Sequence, residues 1–208
     1  MGWGSILKRV APNVVQRWLA ATAVAVFAVG MTGCGGTVNL TANFPSPLVQ
    51  RLPLTAQVNY PPSLQEFTHL EEAMDTTRWT IALGKPCMRM LNNVLGASLT
   101  LVPAGSAGTT PDLIIEPEIL RFEFGVPGRS KVDVAAAWIE FDVRITSSDG
   151  APLTTLKIPG YGEGSRVGGS LGRSLSEAAE YALRDAGATL TQEITRDGAI
   201  LALIGRES

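Results

Sequence analysis

Ser170 stands in a sequence pattern that hydrolases use to present a nucleophile. The letters GGSLG at 168–172 match G-x-S-x-G and fall between a predicted strand and a predicted helix. That arrangement also needs a histidine after the serine, and the only histidine, His69, comes long before it. The glycine-rich run 162–173 is better explained as a flexible loop. Serine hydrolysis is therefore an alternative hypothesis.

Two carboxylates form a second candidate. Glu116 and Glu118 share one strand face by parity, and a carboxylate pair can supply a general acid and a general base. Pro117, between them, has no N–H to donate to a neighbouring strand. The simpler interpretation is therefore an edge strand whose charged side chains prevent pairing with another chain. A carboxylate-dependent envelope hydrolase is the other enzyme alternative. The leading prediction is that the protein is not an enzyme.

The sequence predicts no metal, no cofactor and no nucleic-acid partner. His69 stands alone, and no Cys, His and acidic residues have metal-ligand spacing. Residues 1–33 hold three basic residues and no acid, so the remaining 175 residues carry 14 basic and 19 acidic residues and a net charge of −5. Nucleic-acid binding requires clustered Lys and Arg to neutralise phosphates.

The N-terminal stretch has the pattern of a secretory signal. Residues 1–18 contain three basic side chains and no acid, and residues 19–31 contain no charge. This apolar run of 13 residues is shorter than the roughly 20 residues that a membrane-spanning helix needs. The alternatives are an uncleaved signal anchor that also uses Val14 and Val15, and simple secretion without an anchor.

The letters MTGC at 31–34 resemble the lipobox of bacterial lipoproteins, although Met31 stands where leucine is usual. The resemblance implies cleavage between Gly33 and Cys34, with diacylglyceryl and palmitate on Cys34. Several acyl chains make such an anchor stable. Gly35 is not the aspartate that favours inner-membrane retention. The resemblance therefore implies the periplasmic face of the outer membrane rather than the inner membrane.

The chain divides into four predicted parts. They are a signal peptide at 1–33, a lipidated cysteine with a proline-rich tether at 34–53, a single domain at 54–197 and a C-terminal tail at 198–208. Prolines at 45, 47 and 53 keep the tether extended and prevent a helix. Once Cys34 is acylated, only Cys87 remains, and its apolar neighbours predict a buried, unpaired thiol.

Strict alternation predicts two long strands. In residues 132–146, alternate positions share one apolar face: Ala135, Ala137, Ile139, Phe141, Val143 and Ile145. In residues 113–124, Leu120, Phe122 and Phe124 share a face. The letters SDG at 148–150 predict a hairpin turn. Together these patterns predict an antiparallel sheet with one covered face.

Two helices are predicted to cover that sheet. The first spans about 86–95, and the second begins with a capping box at Ser174 and Glu177 and ends before Asp197. The apolar run 199–204 is predicted to fold back, or to add a strand. The fold prediction is α+β, a two-layer sandwich in which an antiparallel sheet of about four or five strands is covered on one face by two helices.

Two tryptophans are candidates for contact with a partner or a lipid. Trp138 lies on the mostly polar face of its strand, where an apolar patch would suit such a contact. Trp79 belongs to a short predicted strand at 79–83. The alternative for both is packing beneath a helix or a loop.

The element order over residues 34–197 resembles small α+β bacterial envelope lipoproteins, among them auxiliary lipoproteins of lipid-handling ABC transporters and the lipopolysaccharide-assembly lipoprotein. The letters NFPSPL at 43–48, LPL at 52–54 and WTIALG at 79–84 resemble, more narrowly, an uncharacterised proteobacterial lipoprotein group. The resemblance brings no catalytic residue. It implies a non-enzymatic periplasmic accessory protein with an envelope protein partner, which supports a transport or assembly machine. A lipid-binding carrier is a further alternative.

Overall fold

The computed structural model describes residues 36–41, 43–72, 78–105, 108, 110–125, 134–165 and 170–205. These residues form eight strands and four helices. In chain order the elements are β1 Gly36–Val38, β2 Thr55–Val58, α1 Pro62–Gln65, β3 Thr68–Glu72, β4 Arg78–Ala82, α2 Gly84–Ser98, β5 Thr100–Leu101, β6 Leu113–Gly125, β7 Ala135–Ser147, β8 Pro152–Gly164, α3 Leu171–Arg196 and α4 Gly198–Ile204.

Strands β6, β7 and β8 are the antiparallel centre of a five-stranded sheet with the order β5-β2-β6-β7-β8. The six apolar residues predicted to share one face of β7 are all buried, because alternate side chains of a strand point to the same face. Helix α3 covers β7 and β8, and α2 packs against α3. The predicted α+β fold, a sheet of four or five strands covered by helices, is confirmed.

The structure adds two features to that prediction. Strand β2 pairs in parallel with both β5 and β6. A second sheet has the order β1-β4-β3, in which β1 is parallel and β3 antiparallel to β4. Strands β1 to β5 have only two to five residues each. Such short segments carry too few alternations to show how they pair.

A β-bulge at Leu120 changes which residues of β6 face the core. The pairing of β6 with β7 shifts immediately after Ile119. Ile115 and Ile119 are buried before the bulge and Phe122 after it, whereas Leu120 is 46% exposed. The prediction that Leu120 shares a covered face with Phe122 and Phe124 is therefore wrong for Leu120, because an inserted residue interrupts the period of two.

Gly160, Gly162 and Gly164 allow α3 to lie directly on β8. A methyl group at Gly162 would come within 2.2 Å of the carbonyl oxygen of Ala178. At Gly164 it would come within 1.8 Å of the carbonyl oxygen of Ser174. The prediction of a flexible glycine-rich loop is wrong at Gly162 and Gly164, since both are buried residues of β8.

Helix α3 also protects the free edge of β8. The N–H of Tyr161 donates to Asp185 Oδ2 at 3.0 Å, and the N–H of Ser165 donates to Glu177 Oε2 at 2.9 Å. Pro159 lies two residues before Tyr161 and therefore faces the same edge, but proline has no N–H to donate. The hydroxyl and N–H of Ser165 lower the pKa of the Glu177 carboxyl. Two acidic side chains therefore accept edge donors that otherwise invite pairing with another chain.

Helix α3 begins at Leu171, earlier than the predicted capping box. Ser170 occupies the N-cap position. Ser174 lies inside the helix, where its hydroxyl donates to the carbonyl of Ser165 at 2.7 Å. Glu177 accepts from Ser165 as well. The predicted reciprocal cap between Ser174 and Glu177 is wrong, because both side chains instead fix the end of β8.

The residues after α3 form a helix rather than a tail. Asp197 Oδ1 accepts from the N–H groups of Ala199 and Ile200 at 2.9 and 3.0 Å, which caps α4. Ile200 is fully buried. The same aspartate accepts from the hydroxyl of Thr154 on β8 at 3.0 Å through Oδ2. Residues 198–204 therefore belong to the folded domain.

We expect Asp197→Ala to lower the free energy of unfolding by about 1 kcal/mol, because two N–H groups of α4 lose their acceptor. Asp197→Asn keeps an oxygen acceptor and is the control, for which we expect a much smaller loss. Urea unfolding followed by circular dichroism measures both. Equal stability of Asp197→Ala and the wild type would show that the cap contributes nothing.

The segment after β1 forms a strap along α3. We define the strap as residues 39–47, of which residue 42 lies outside the described set. Ser176 Oγ donates to the carbonyl of Asn39 at 2.7 Å, and the N–H of Thr41 donates to Glu180 at 2.6 Å. Arg184 donates to the carbonyl of residue 43 at 3.2 Å.

The spacing of these contacts follows from chain geometry. Two residues of extended chain advance about 6.8 Å, and four residues of helix advance about 6.0 Å. Every second residue of the strap can therefore contact every fourth residue of α3. Phe44 is only 6% exposed, and its carbonyl accepts from Asn93 of α2 at 2.7 Å. The predicted tether at 34–53 is therefore wrong for the strap, which is packed on the domain.

Candidate functional site

Cys34 and the predicted cleavage position after Gly33 lie outside the described residues. The described chain starts at Gly36, which is already the first residue of β1 and pairs with Trp79 of β4. A methyl group at Gly36 would come within 2.2 Å of the Trp79 ring. Only Gly35 separates Cys34 from this closely packed strand.

Trp79 makes internal contacts. Its ring lies against Gly36 of β1 and Gly172 of α3, where a methyl group would come within 2.8 Å of the ring. Its indole Nε1 is buried, and the described residues offer it no hydrogen-bond partner. Trp79 therefore joins the small sheet to the first turn of α3, and this contact leaves Trp138 as the better candidate for an external partner.

Trp138 forms an aromatic pair with Tyr161 on the outer face of the main sheet. The two residues lie opposite each other on β7 and β8, with ring centroids 5.3 Å apart. Tyr161 is 39% exposed, and its hydroxyl donates to Glu163. That hydrogen bond raises the pKa of Tyr161. The aromatic pair combines apolar rings with a polar rim, a composition common at protein interfaces.

Glu116 and Glu118 share a face, as predicted, and both lie against Arg144 of β7. Arg144 Nη1 is 3.5 Å from Glu118 Oε2, and its Nε is 4.0 Å from Glu116 Oε2. Strand β2 pairs with β6 only over 113–115, so the glutamates lie where β6 has no strand partner on that side among the described residues. Because both carboxylates contact the same Arg144 guanidinium, the charged edge strand explains them better than a pair of general acid and general base.

The described contacts of Ser170 include no catalytic partner. Six residues separate β8 from α3, whereas a nucleophile elbow turns directly from strand to helix. Residues 168–169 of the motif lie outside the described set. His69 instead contacts Glu71 at 3.0 Å, and its ring packs 5.1 Å from that of Phe122.

An apolar cleft lies between the strap, α2 and α3, with a volume of about 370 Å³. Its apolar lining residues are Phe44, Pro45, Pro47, Val49, Met90, Val94 and Ala188. The volume falls within the range of small-molecule sites. The cleft was not predicted from the sequence, because the strap that forms one of its walls was predicted to be a free tether. Phe44 was the available signal, since an aromatic side chain in an extended segment usually needs a place to be buried.

Cys87 is the free thiol of the described chain and is fully buried in α2. Burial raises the pKa of the thiol, which disfavours the reactive thiolate. We expect maleimide to leave Cys87 unmodified in the native protein and to modify it in urea. Mass spectrometry of the two samples measures this difference. Rapid native modification would contradict the buried position.

Two further properties concern the described residues only. Their His, Cys, Asp and Glu side chains form no group of three that could hold a metal ion. None of the helices in this part of the chain is long and apolar enough to cross a membrane.

No protein-family model matches the sequence, and no curated protein matches it either. Solved structures do match the fold. A Xanthomonas campestris protein described by the family model DUF330 is 13% identical, covers 84% of this chain and 99% of its own, and has a TM-score of 0.54. This similarity shows a shared fold.

Two other solved structures are described as lipoproteins. A minor lipoprotein from Acinetobacter baumannii is 10% identical over 68% of this chain and 91% of its own, with a TM-score of 0.40. Lipoprotein GNA1162 from Neisseria meningitidis is 9% identical over 56% of this chain and 89% of its own, with a TM-score of 0.31. The similarity to small proteobacterial proteins expected from the sequence is confirmed at the level of the fold by the Xanthomonas campestris structure.

Proposed function

We propose that the protein is a non-catalytic accessory lipoprotein of the bacterial envelope, anchored by an acylated Cys34. One observation carries the proposal: Gly36, only two residues after the lipobox-like cysteine, is already a paired residue of β1. Cleavage after Gly33 would leave all of the described strands and helices in the mature protein. Because Gly35 is not aspartate, the proposal includes the periplasmic face of the outer membrane.

The side chains of the enzyme alternatives support a non-catalytic role. Glu116 and Glu118 share Arg144, and Ser170 occupies the N-cap position of α3, where its backbone carbonyl accepts from the N–H of Ser174 at 3.2 Å. His69 is engaged with Glu71 and with the Phe122 ring. The two glutamates and His69 therefore have structural contacts that explain their positions without a reaction.

The aromatic pair supports an accessory role with an envelope protein partner. Trp138 and Tyr161 lie on a sheet face where the charged side chains are mostly paired, as Lys157 is with Asp142 at 2.9 Å. Aromatic side chains dominate binding energy at many interfaces. Trp138 is therefore the residue at which we propose partner contact, as part of a transport or assembly machine.

Palmitate labelling and fractionation of cells test the anchor. We expect wild-type protein to incorporate an alkyne-palmitate analogue and to separate with the outer membrane, and Cys34→Ala to do neither. Cys87→Ala is the matched control and should behave as the wild type. Identical fractionation of wild type and Cys34→Ala, with no label in either, would refute the anchor.

The apolar cleft favours one second candidate, a carrier that binds an acyl chain. Its lining is mostly apolar and includes the side chains of Phe44, Met90 and Val94. Ala188→Trp should fill the cleft and abolish fluorescence enhancement of N-phenyl-1-naphthylamine. Ala202→Trp, on the exposed surface of α4, is the control. Equal enhancement in both variants would exclude the cleft as the binding site.

A further inference from the structure

The distance between Cys34 and the folded domain is too short for a spacer. Two residues of extended chain reach at most about 7 Å, whereas the twenty residues of the predicted tether would reach roughly 70 Å. The chain at Gly36 is already fixed by pairing with β4 and by the Trp79 ring. A lipid at Cys34 must therefore lie close to one particular end of the domain.

The contacts of Trp79 identify that end. Its ring touches both Gly36 and Gly172, so the start of β1 and the first turn of α3 lie together. The end of β8 belongs to the same region, because Gly164 packs on Ser174. We call this region the anchor end.

The opposite end of the domain is equally well defined. Helix α3 has 26 residues and is about 39 Å long. Its last turn lies beside the start of β8, where Thr154 hydrogen-bonds Asp197. The β7–β8 turn, which includes Ser148, lies further still along β8. The strap runs in the same direction as α3, away from the anchor end.

We infer that the anchor end rests against the phospholipid headgroups, so that α3 points away from the bilayer and the domain has one fixed orientation. This inference rests on the proposed acylation of Cys34. The described surface at the anchor end is mixed: Thr37, Ser165, Ser170 and Arg173 are exposed polar residues. Leu70, in register with Thr37 across β4, is an exposed apolar residue. The polar residues suit contact with headgroups.

The orientation has a consequence for partners and ligands. The aromatic pair lies towards the anchor end of the sheet, because Tyr161 is three residues from the end of β8. The apolar cleft involves Gly187 to Gln192 of α3, which lie roughly 25–30 Å along the helix. A partner of the aromatic pair must therefore reach close to the membrane, whereas the cleft remains accessible well above it.

Site-specific quenching tests this orientation in the full-length, processed protein. Single cysteines are introduced by Thr37→Cys, Ser170→Cys or Ser148→Cys and labelled with bimane. An acylated Cys34 cannot react, and Cys87 is buried. The protein is reconstituted into vesicles of phosphatidylethanolamine and phosphatidylglycerol that contain a headgroup nitroxide lipid. We expect severalfold stronger quenching at positions 37 and 170 than at position 148.

A linker variant separates this inference from the anchor itself. A Gly/Ser insert of about 12 residues after Gly35, with an end-to-end distance of roughly 20 Å, should remove the difference between the labels while vesicle flotation persists. Flotation with equal quenching at all three sites in the protein without the insert would overturn the orientation and leave the anchor intact. Absence of both acylation and flotation would overturn the anchor and the orientation together.

Discussion

Gly162→Ala is expected to lower the free energy of unfolding by about 3 kcal/mol, at the upper end of the cost of overpacking. The added methyl group would come within 2.2 Å of the carbonyl oxygen of Ala178 and 2.4 Å of the N–H nitrogen of Ala182. Both atoms belong to a helix backbone and cannot rotate away as a flexible side chain does. The midpoint of thermal unfolding should fall by roughly 6–12 °C.

Gly96→Ala is the matched control for this prediction. Gly96 lies inside α2, where a methyl group would meet Leu101 at 3.7 Å, an ordinary van der Waals distance. Alanine is also favoured over glycine in a helix, so we expect unchanged stability or a gain of up to about 1 kcal/mol. Equal melting temperatures for the two variants would contradict the close packing of α3 on β8.

Phe44→Ala is expected to lower the free energy of unfolding by about 3 kcal/mol or more, as for other buried Phe→Ala substitutions. Phe44 is 6% exposed and is a large buried apolar side chain of the strap. Its loss would remove a main apolar contact between the strap and the two helices. A free tether would instead make this substitution harmless, so the variant distinguishes the two descriptions of the segment.

Leu48→Ala supplies the comparison, because Leu48 lies four residues further along and is fully exposed. We expect its melting temperature to stay within measurement error of the wild type. Differential scanning calorimetry of both variants gives the result. If Phe44→Ala also melted as the wild type does, the strap would contribute no stability and the tether prediction would stand.

The long elements were predictable from the sequence because their periods repeat many times. Strand β7 alternates over 13 residues, and the hairpin turn before β8 has the expected Asp149-Gly150 sequence with Gly150 at a φ of 84°. The stripe of α3 likewise covers several turns. Such repetition averages out local exceptions.

The features that were missed depend on contacts distant in sequence. The parallel pairing of β2 with β6 and the strap along α3 leave no local period. The prolines at 45 and 47 are equally compatible with a free or a packed extended chain. The spacing Gly160-x-Gly162-x-Gly164 on β8 was a usable signal, because it matches small residues four apart on α3.

The candidate site residues also differ in whether local sequence or tertiary contacts identify them. The burial of Cys87 was predictable from its apolar neighbours and is confirmed. The lipidation of Cys34 stays a prediction from a local sequence pattern. The separation of Trp138 from Trp79 required the structure, since only tertiary contacts place one ring against Gly36 and the other beside Tyr161.

Mass spectrometry of the N-terminal peptide, from protein extracted out of bacterial membranes, tests the lipid anchor most directly. The account predicts that the first residue is Cys34 and that it carries a diacylglyceryl group and an amide-linked acyl chain. Retention of residues 1–33, a mature N-terminus at another residue or an unmodified Cys34 thiol would contradict it.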